Sequence, residues 1–315
     1  MLLTPAILEL EQLRGSRVII YFIGDNLSKH IDNTDVPVIY ECLKSLASVS
    51  KLDVILQTKG GFNSAAYRIA LLLREYAPHI NILVPYQARS AGTLICLAAN
   101  QLVLSPLSEL SPLDPYISSS GDLPVGTPTF ISAEDIRALK EMAEAWFGID
   151  TEEYRLHLFT LVSQRIFPAS LGLFYRAHVH VREIANQLLA FQLPEANPET
   201  RELIVNKLIS GYRTHDYSIT RSEAKTLGLQ ISFATAEEER LMWDIYCTCR
   251  DHMASSFTDL DTNNTSKYIN GLILGGNYIA EYSAAKSNLR NDQPNVMNTA
   301  EWKNRLTWNW EPRVS

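Results

Sequence analysis

The chain has 315 residues, of which 46% are hydrophobic, and its formal net charge is −7. This hydrophobic share is typical of a globular protein and argues against extensive disorder. The acidic balance comes without a long basic run, so we expect no nucleic-acid partner. The opening residues lack the basic region and the long apolar region typical of a signal peptide, and no apolar stretch of about 18 residues is uninterrupted. We therefore expect a cytoplasmic protein that does not span a membrane.

The cysteines and histidines give no support for a metal site. Cys42, Cys96, Cys247 and Cys249 are too few and too irregularly spaced for a secreted disulfide framework, and the C-x-C pair has no second pair to complete a zinc site. His178 and His180 are two positions apart on a predicted helix, so they cannot share one face. We therefore expect free thiols, no metal and no cofactor.

The first hundred residues alternate between strand and helix patterns. Short apolar runs rich in β-branched residues predict strands at 16–23, 52–58, 80–86 and 101–105. Between the second and third of these, apolar residues follow helical spacing along "NSAAYRIALLLREYA". Repeated strand–helix–strand units predict an α/β fold with a parallel β-sheet and crossover helices.

Beyond residue 132 several helical patterns follow, and the chain returns through a short strand at "LQISFAT". After about residue 234 the alternation of strand and helix patterns gives way to one long helical pattern and a hairpin pattern. Met242, Ile245, Tyr246, Cys249 and Met253 share one helical face, and two strand-like runs flank "GG" at 275–276, which indicates a hairpin. We predict two domains, 1–234 and a C-terminal accessory element at 235–315.

One serine stands between a predicted strand and a helix of small residues. Ser90 lies in "PYQARSAGTLICLAAN", and its S-x-G matches the end of the nucleophile elbow of α/β-hydrolases, without the leading glycine. The next amide, that of Ala91, would face a substrate bound at the helix start. On this short pattern alone, a helix N-cap is the commoner role of such a serine.

A pair of glycines follows the second predicted strand, in "QTKGGFNSAAYR". Neither G-x-G-x-x-G nor G-x-x-x-x-G-K-[ST] is present, which argues against a nucleotide-binding loop. Gly60 and Gly61 could instead present backbone amides as an oxyanion hole, or they could form an ordinary tight turn.

In this order, the motifs resemble the superfamily of the Clp proteolytic subunit, signal peptide peptidase A and the crotonases. The likeness is closest to the serine dehydrogenase proteinase family. The matching segments are "TKGG", "VPYQARSAGTLICLAA", "LSPLDP", "THDYSI" and "EAKTLGL", and they extend over about residues 16–234. The resemblance implies a ClpP/crotonase-like fold and a serine endopeptidase that acts on peptide or protein substrates and assembles into a homo-oligomer.

Carried over by motif, the resemblance implies a triad in the chain order Ser90, Asp114, His215. Ser90 would be the nucleophile, His215 the general base and Asp114 the acid that orients the imidazole. Oxyanion amides would come from the following residues: Gly60, Gly61 and Ala91.

Two other residues compete for these roles. Asp216 occupies the position of a triad acid in the Clp subunit, but it adjoins His215, and successive side chains in extended backbone point to opposite sides. Lys140 could serve as base in a Ser–Lys dyad, as in signal peptide peptidase A. The charged surroundings of Lys140 favour a solvated helix face instead.

The chain departs from the family pattern twice, at Lys59 in place of proline and at Ser111 in place of glycine. Two other functions are kept as alternatives: a crotonase-like acyl-CoA enzyme, which needs amides but no serine, and an inactive scaffold or regulatory subunit. The scaffold alternative rests on Trp302, Trp308 and Trp310, through which the C-terminal element could bind a protein partner.

Overall fold

The computed structural model describes residues 4–24, 29–46, 49–118, 130–258, 267–285 and 309–314. The chain divides into two compact units. The first comprises Met1–Ser111, Leu188–Ala196 and Ser218–Ser315, and the second comprises Pro112–Gln187 and Asn197–Tyr217. This division differs from the predicted boundary at residue 234, and an independent domain at 235–315 stays a prediction.

The helices are α1 (Thr4–Arg14), α2 (Asp35–Ser45), α3 (Asn63–Tyr76), α4 (Ala91–Cys96), α5 (Ala133–Phe147), α6 (Glu152–Arg165), α7 (Pro168–Gln192), α8 (Pro198–Ser210), α9 (Arg221–Thr226) and α10 (Ala236–Thr258). The strands are β1 (Arg17–Ile23), β2 (Lys51–Gln57), β3 (His79–Val84), β4 (Gln87–Ala88), β5 (Gln101–Leu104), β6 (Glu109–Leu110), β7 (Tyr116–Ser118), β8 (Phe130–Ser132), β9 (Ile219–Thr220), β10 (Ile231–Phe233), β11 (Lys267–Gly275), β12 (Tyr278–Ala285) and β13 (Asn309–Val314).

The first unit is built on an eight-stranded sheet with the order β10-β5-β3-β2-β1-β11-β12-β13. Neighbouring strands from β10 to β1 pair in parallel, which confirms the predicted α/β fold with a parallel sheet. The predicted hairpin is also confirmed, because β11 and β12 are antiparallel and flank the turn at Gly276. The hairpin lies in the same sheet: β11 pairs antiparallel with β1, with Ile20 opposite Leu274.

Both faces of β1 are buried, as its unbroken apolar sequence predicts. Val18, Ile20 and Phe22 point to one face, where they pack against α10. The five residues of the predicted α10 stripe, from Met242 to Met253, are all buried in this cluster. On the opposite face, Ile19 and Tyr21 are equally buried.

A buried ionic cluster ties the last strand to the body of the first unit. The Lys29 ammonium lies 2.5 Å from an Asp35 carboxylate oxygen, and both side chains are fully buried. The Trp310 indole nitrogen of β13 donates to Asp35 at 2.9 Å, and the Tyr21 hydroxyl donates to Asp35 at 2.5 Å. The Lys29 ammonium also lies 4.7 Å from the ring centre of Tyr282.

Trp310 therefore packs within its own unit, whereas Trp302 and Trp308 lie outside the described residues.

A second, three-stranded sheet in the first unit has the order β4-β6-β9. Its β4 and β6 are parallel, with Gln87 opposite Glu109 and Ala88 opposite Leu110. This short ladder ends at Ala88 and Leu110, just before the chain turns from β4 into α4 at Ser90.

The second unit is mainly helical. The Ser132 hydroxyl and the Asp135 carboxylate form the predicted capping box at the start of α5. Many large apolar side chains of α5 to α7 are exposed to solvent in the single chain: Trp146, Phe147, Leu156, Phe159, Leu161, Leu173 and Tyr175.

Candidate active site

Ser90 has a backbone conformation that L-residues rarely adopt. Its φ is 50° and its ψ is −116°, and it is the only non-glycine residue with positive φ in the described part of the chain. It occupies the N-cap position of α4, yet its side chain makes no capping hydrogen bond. The geometry is therefore that of a sharp strand-to-helix turn with a serine at its tip, and an ordinary N-cap does not account for it.

The Gly60–Gly61 loop passes directly beside Ser90. A Cβ built on Gly60 would lie 2.8 Å from the Cβ of Ser90 and 3.4 Å from the amide nitrogen of Ala91. The φ of Gly60 is +110° as well. Close approach and conformation thus both require glycine at this position.

The backbone amides of the two loops differ in what they bind. The Gly60 amide donates to the Thr58 hydroxyl at 3.0 Å, so in this structure it is not free to bind an oxyanion. The amides of Gly61 and Ala91 donate no hydrogen bond to any residue that the structure describes. Of the three predicted oxyanion donors, Gly61 and Ala91 are therefore the two with an available N–H group.

Asp114 and His215 form a pair within the second unit. The Nδ1 atom of His215 lies 2.7 Å from the Oδ1 atom of Asp114, and the two side chains are 23% and 7% exposed. The amide of Leu113 donates to the carbonyl of Leu208 in α8 at 2.8 Å, which fixes the segment that carries Asp114. A carboxylate at Nδ1 holds the imidazole in the tautomer whose Nε2 can accept a proton.

The two competing residues are placed differently. Asp216 is exposed, and it is Asp114 that bonds to the imidazole of His215. Lys140 is 53% exposed, and its ammonium lies 3.2 Å from Glu144 one helical turn away. Lys140 therefore has the solvated helix position that its charged surroundings predicted, not the burial that a general base would need.

Three charged or nucleophilic side chains near the Ser90 turn, those of Arg89, Glu109 and Cys96, are hydrogen-bonded or unreactive. Arg89 and Gln87 both donate to Glu109, at 3.0 and 2.8 Å. Burial would raise the pKa of Glu109, but hydrogen bonds from Ser218, Arg89 and Gln87 lower it below its usual value. Burial raises the pKa of Cys96 in α4 far above its usual range, so this thiol is a poor nucleophile.

The predicted site residues fall into two groups. Ser90, Gly60, Gly61 and Ala91 belong to the first unit, and Asp114, His215, Asp216 and Lys140 belong to the second. Within the described ranges, no group of three His, Cys, Asp or Glu residues could hold a metal ion. No described helix is long and apolar enough to cross a membrane.

Residues 4–127 match the model of a protein family described as ClpP-like SDH-type serine proteinases. Residues 4–127 make up less than half of the chain, and over this part the chain is similar to that family. The match contains Ser90, both glycines and Asp114, and it ends before His215. It confirms the resemblance that the sequence motifs indicated, and it supports a serine peptidase over the segment that carries the Ser90 turn.

Two uncharacterized proteins of Methanocaldococcus jannaschii are also similar to the chain. MJ1495 is 27% identical over 71% of this chain and 69% of its own length. MJ0137 is 25% identical over 76% of this chain and 76% of its own length.

Among solved structures, the chain is similar to the 1510-N membrane-bound stomatin-specific protease, K138A mutant with a substrate peptide. The identity is 16%, the TM-score is 0.40, and the similarity covers 66% of this chain and 73% of that one. ClpP1 from Listeria monocytogenes is 14% identical with a TM-score of 0.38, over 72% and 97% of the two chains.

Sequence reasoning missed the hydroxyl groups that hold this backbone. Thr58, Thr93 and Ser111 are fully buried, and each hydrogen-bonds to the backbone of the Ser90 turn or of the glycine loop. The sequence marked Ser111 only as a departure from the family pattern, since a hydrogen bond between residues 21 positions apart leaves no local signal.

Proposed function

We propose that the chain is a serine endopeptidase in which Ser90 is the nucleophile, His215 the general base and Asp114 the orienting acid. The conformation of Ser90 carries the proposal: a serine held at positive φ, against a glycine loop with an available amide, is a costly arrangement that helix capping does not need. The Asp114–His215 hydrogen bond supports the assignment of base and acid.

The chemistry follows the usual course of acyl transfer. The Oγ atom of Ser90 attacks the peptide carbonyl carbon while His215 accepts the hydroxyl proton, and the amides of Gly61 and Ala91 bind the oxyanion. The C–N bond then breaks, and His215 returns the proton to the leaving amine. Water hydrolyses the acyl-enzyme in the second half and regenerates the Ser90 hydroxyl.

The decisive experiment is labelling with a fluorophosphonate probe, followed by mass spectrometry of the labelled peptide. We expect covalent modification at Ser90 and none in Ser90→Ala. Absence of labelling in the folded wild-type chain would contradict the proposal, and thioester hydrolysis without labelling would favour the crotonase-like alternative. The Ser90→Ala variant should also retain client proteins that the wild type cleaves, and these would identify the substrate.

We further propose that the chain acts as a cytoplasmic homo-oligomer. The exposed aromatic side chains of α5 and α6 in the single chain, such as Trp146, Phe147 and Phe159, support self-association. The thiols of Cys42, Cys96, Cys247 and Cys249 are unpaired, as expected in a reducing compartment. Light scattering coupled to size-exclusion chromatography tests the assembly, and cell fractionation tests the location.

A further inference from the structure

The strained conformation of Ser90 needs specific support from its surroundings. A non-glycine residue at positive φ persists only where neighbouring contacts over-determine it. The β4–β6 ladder ends at Ala88 and Leu110, two residues before Ser90. The backbone amide of Ser90 therefore lies beyond the reach of the ladder and needs another acceptor.

Ser111 supplies that acceptor. The Ser90 amide donates to the Ser111 hydroxyl oxygen at 2.7 Å, and Ser111 is fully buried directly after β6. The Ser111 side chain therefore adds one hydrogen bond between the two segments just beyond the end of the β4–β6 backbone ladder.

Ser111 is itself held from the other side of the turn. Its amide donates to the Thr93 hydroxyl oxygen at 3.0 Å, and the Thr93 hydroxyl donates to the Ala88 carbonyl at 2.7 Å. Two buried hydroxyls therefore connect the residues before and after Ser90 to the end of β6. A glycine at position 111, as in the family pattern, would lack the side-chain oxygen that accepts from the Ser90 amide.

We propose that Ser111 is a positioning residue for the nucleophile: its hydroxyl holds the Ser90 amide and thereby keeps the Ser90 hydroxyl and the Ala91 amide in reacting geometry. This inference rests on the proposed role of Ser90. Ser111 touches no substrate in this role, and it acts only through the backbone of the turn.

The test compares fluorophosphonate labelling rates of Ser111→Ala and wild type. The substitution leaves the Ser90 amide without its acceptor, so we expect labelling to slow by about 10- to 100-fold while the chain stays folded. With a peptide substrate, the loss should appear in kcat, with KM nearly unchanged. Ser111→Thr retains a hydroxyl and should label faster than Ser111→Ala.

Ser105→Ala is the matched control. Ser105 is also a buried serine close to a neighbouring strand end, and its hydroxyl donates to the Pro85 carbonyl at 2.8 Å without contact to Ser90. We expect it to lower the melting temperature about as much as Ser111→Ala and to leave the labelling rate near that of wild type. Equal slowing in both variants would overturn the proposal, because the effect would then follow stability alone.

The outcomes also separate this inference from the proposed function. If wild-type Ser90 is not labelled at all, the peptidase assignment fails. If wild type is labelled and folded Ser111→Ala is labelled at the same rate, only the role of Ser111 fails. If Ser111→Ala does not fold, Thr93→Val is the alternative variant, because it removes the hydroxyl that holds the Ser111 amide. We expect the same slowing of labelling in Thr93→Val. An unchanged labelling rate in that variant would count against the proposal.

Discussion

His215 and Asp114 are 101 positions apart in the chain, yet the imidazole Nδ1 and a carboxylate oxygen lie 2.7 Å apart. The Asp114 side chain is 7% exposed, so water does not compete strongly for this hydrogen bond. Replacement of Asp114 by Asn should permit the wrong imidazole tautomer and lower the rate of Ser90 labelling by about 10²- to 10⁴-fold.

The controls for this prediction are the two competing residues. Asp216→Asn and Lys140→Met should retain most of the labelling rate, because Asp216 is exposed and Lys140 pairs with Glu144 at the surface. A larger loss in Asp216→Asn than in Asp114→Asn would transfer the orienting role to Asp216. A large loss in Lys140→Met would favour a Ser–Lys dyad.

Gly60→Ala should disrupt the Ser90 turn. The new Cβ would lie 2.8 Å from the Cβ of Ser90 at a φ of +110°, so strain and overlap act together. We expect a loss of about 2 kcal/mol or more in unfolding free energy and at least about tenfold slower labelling. Gly172→Ala is the control, since nothing lies within 4 Å of its added Cβ in helix α7. Helix propensity should make that variant slightly more stable, and comparable losses in the two would contradict the prediction.

The buried ion pair of Lys29 predicts a large stability effect. Lys29→Met would leave Asp35 charged and fully buried without its cation, which should cost about 3–5 kcal/mol in urea unfolding. Lys44→Met tests an exposed pair, because the Lys44 and Glu41 side chains are 50% and 51% exposed. Its effect should stay within about 0.5 kcal/mol, and a similar loss in both variants would show that burial of the pair is not decisive.

His178 predicts a pH dependence of stability in the second unit. Burial lowers the pKa of His178 below its ordinary value, with Arg182 and Arg137 acting in the same direction and Glu134 opposing them. The unfolded chain therefore binds a proton more readily than the fold does, and stability should fall as the pH drops below about 6.5. Urea unfolding of His178→Gln should show a weaker loss between pH 7.5 and 5.5. His180 is exposed, so His180→Gln is the control and should lose as much unfolding free energy over this pH range as wild type. An equal loss of unfolding free energy in wild type and both variants would refute the role of His178.

Features that depend on neighbouring residues were predictable from the sequence. The apolar runs marked the parallel strands, and the stripe from Met242 to Met253 marked the buried face of α10, because periodicity along the chain reflects which side chains are buried. The serine turn and the glycine loop were recognisable for the same reason, since each is a short motif.

Features that depend on residues far apart in the chain could not be predicted from the sequence. Nothing in the hairpin sequence shows that β11 pairs with β1, since pairing partners are chosen by the whole sheet. The occupied Gly60 amide is a second example: a threonine two residues earlier could equally have pointed elsewhere. Hydrogen bonds of single side chains across the fold leave no periodic trace in the sequence.

The position of the C-terminal hairpin has a practical consequence for anyone who shortens this protein. Because β11 covers the outer side of β1, a chain cut at residue 234 would leave the backbone N–H and C=O groups of "RVIIYFI" open along one side. An exposed apolar strand edge of this kind can pair with strands of other molecules. The shortened protein should therefore precipitate or form fibrous aggregates, whether or not Ser90 is reactive.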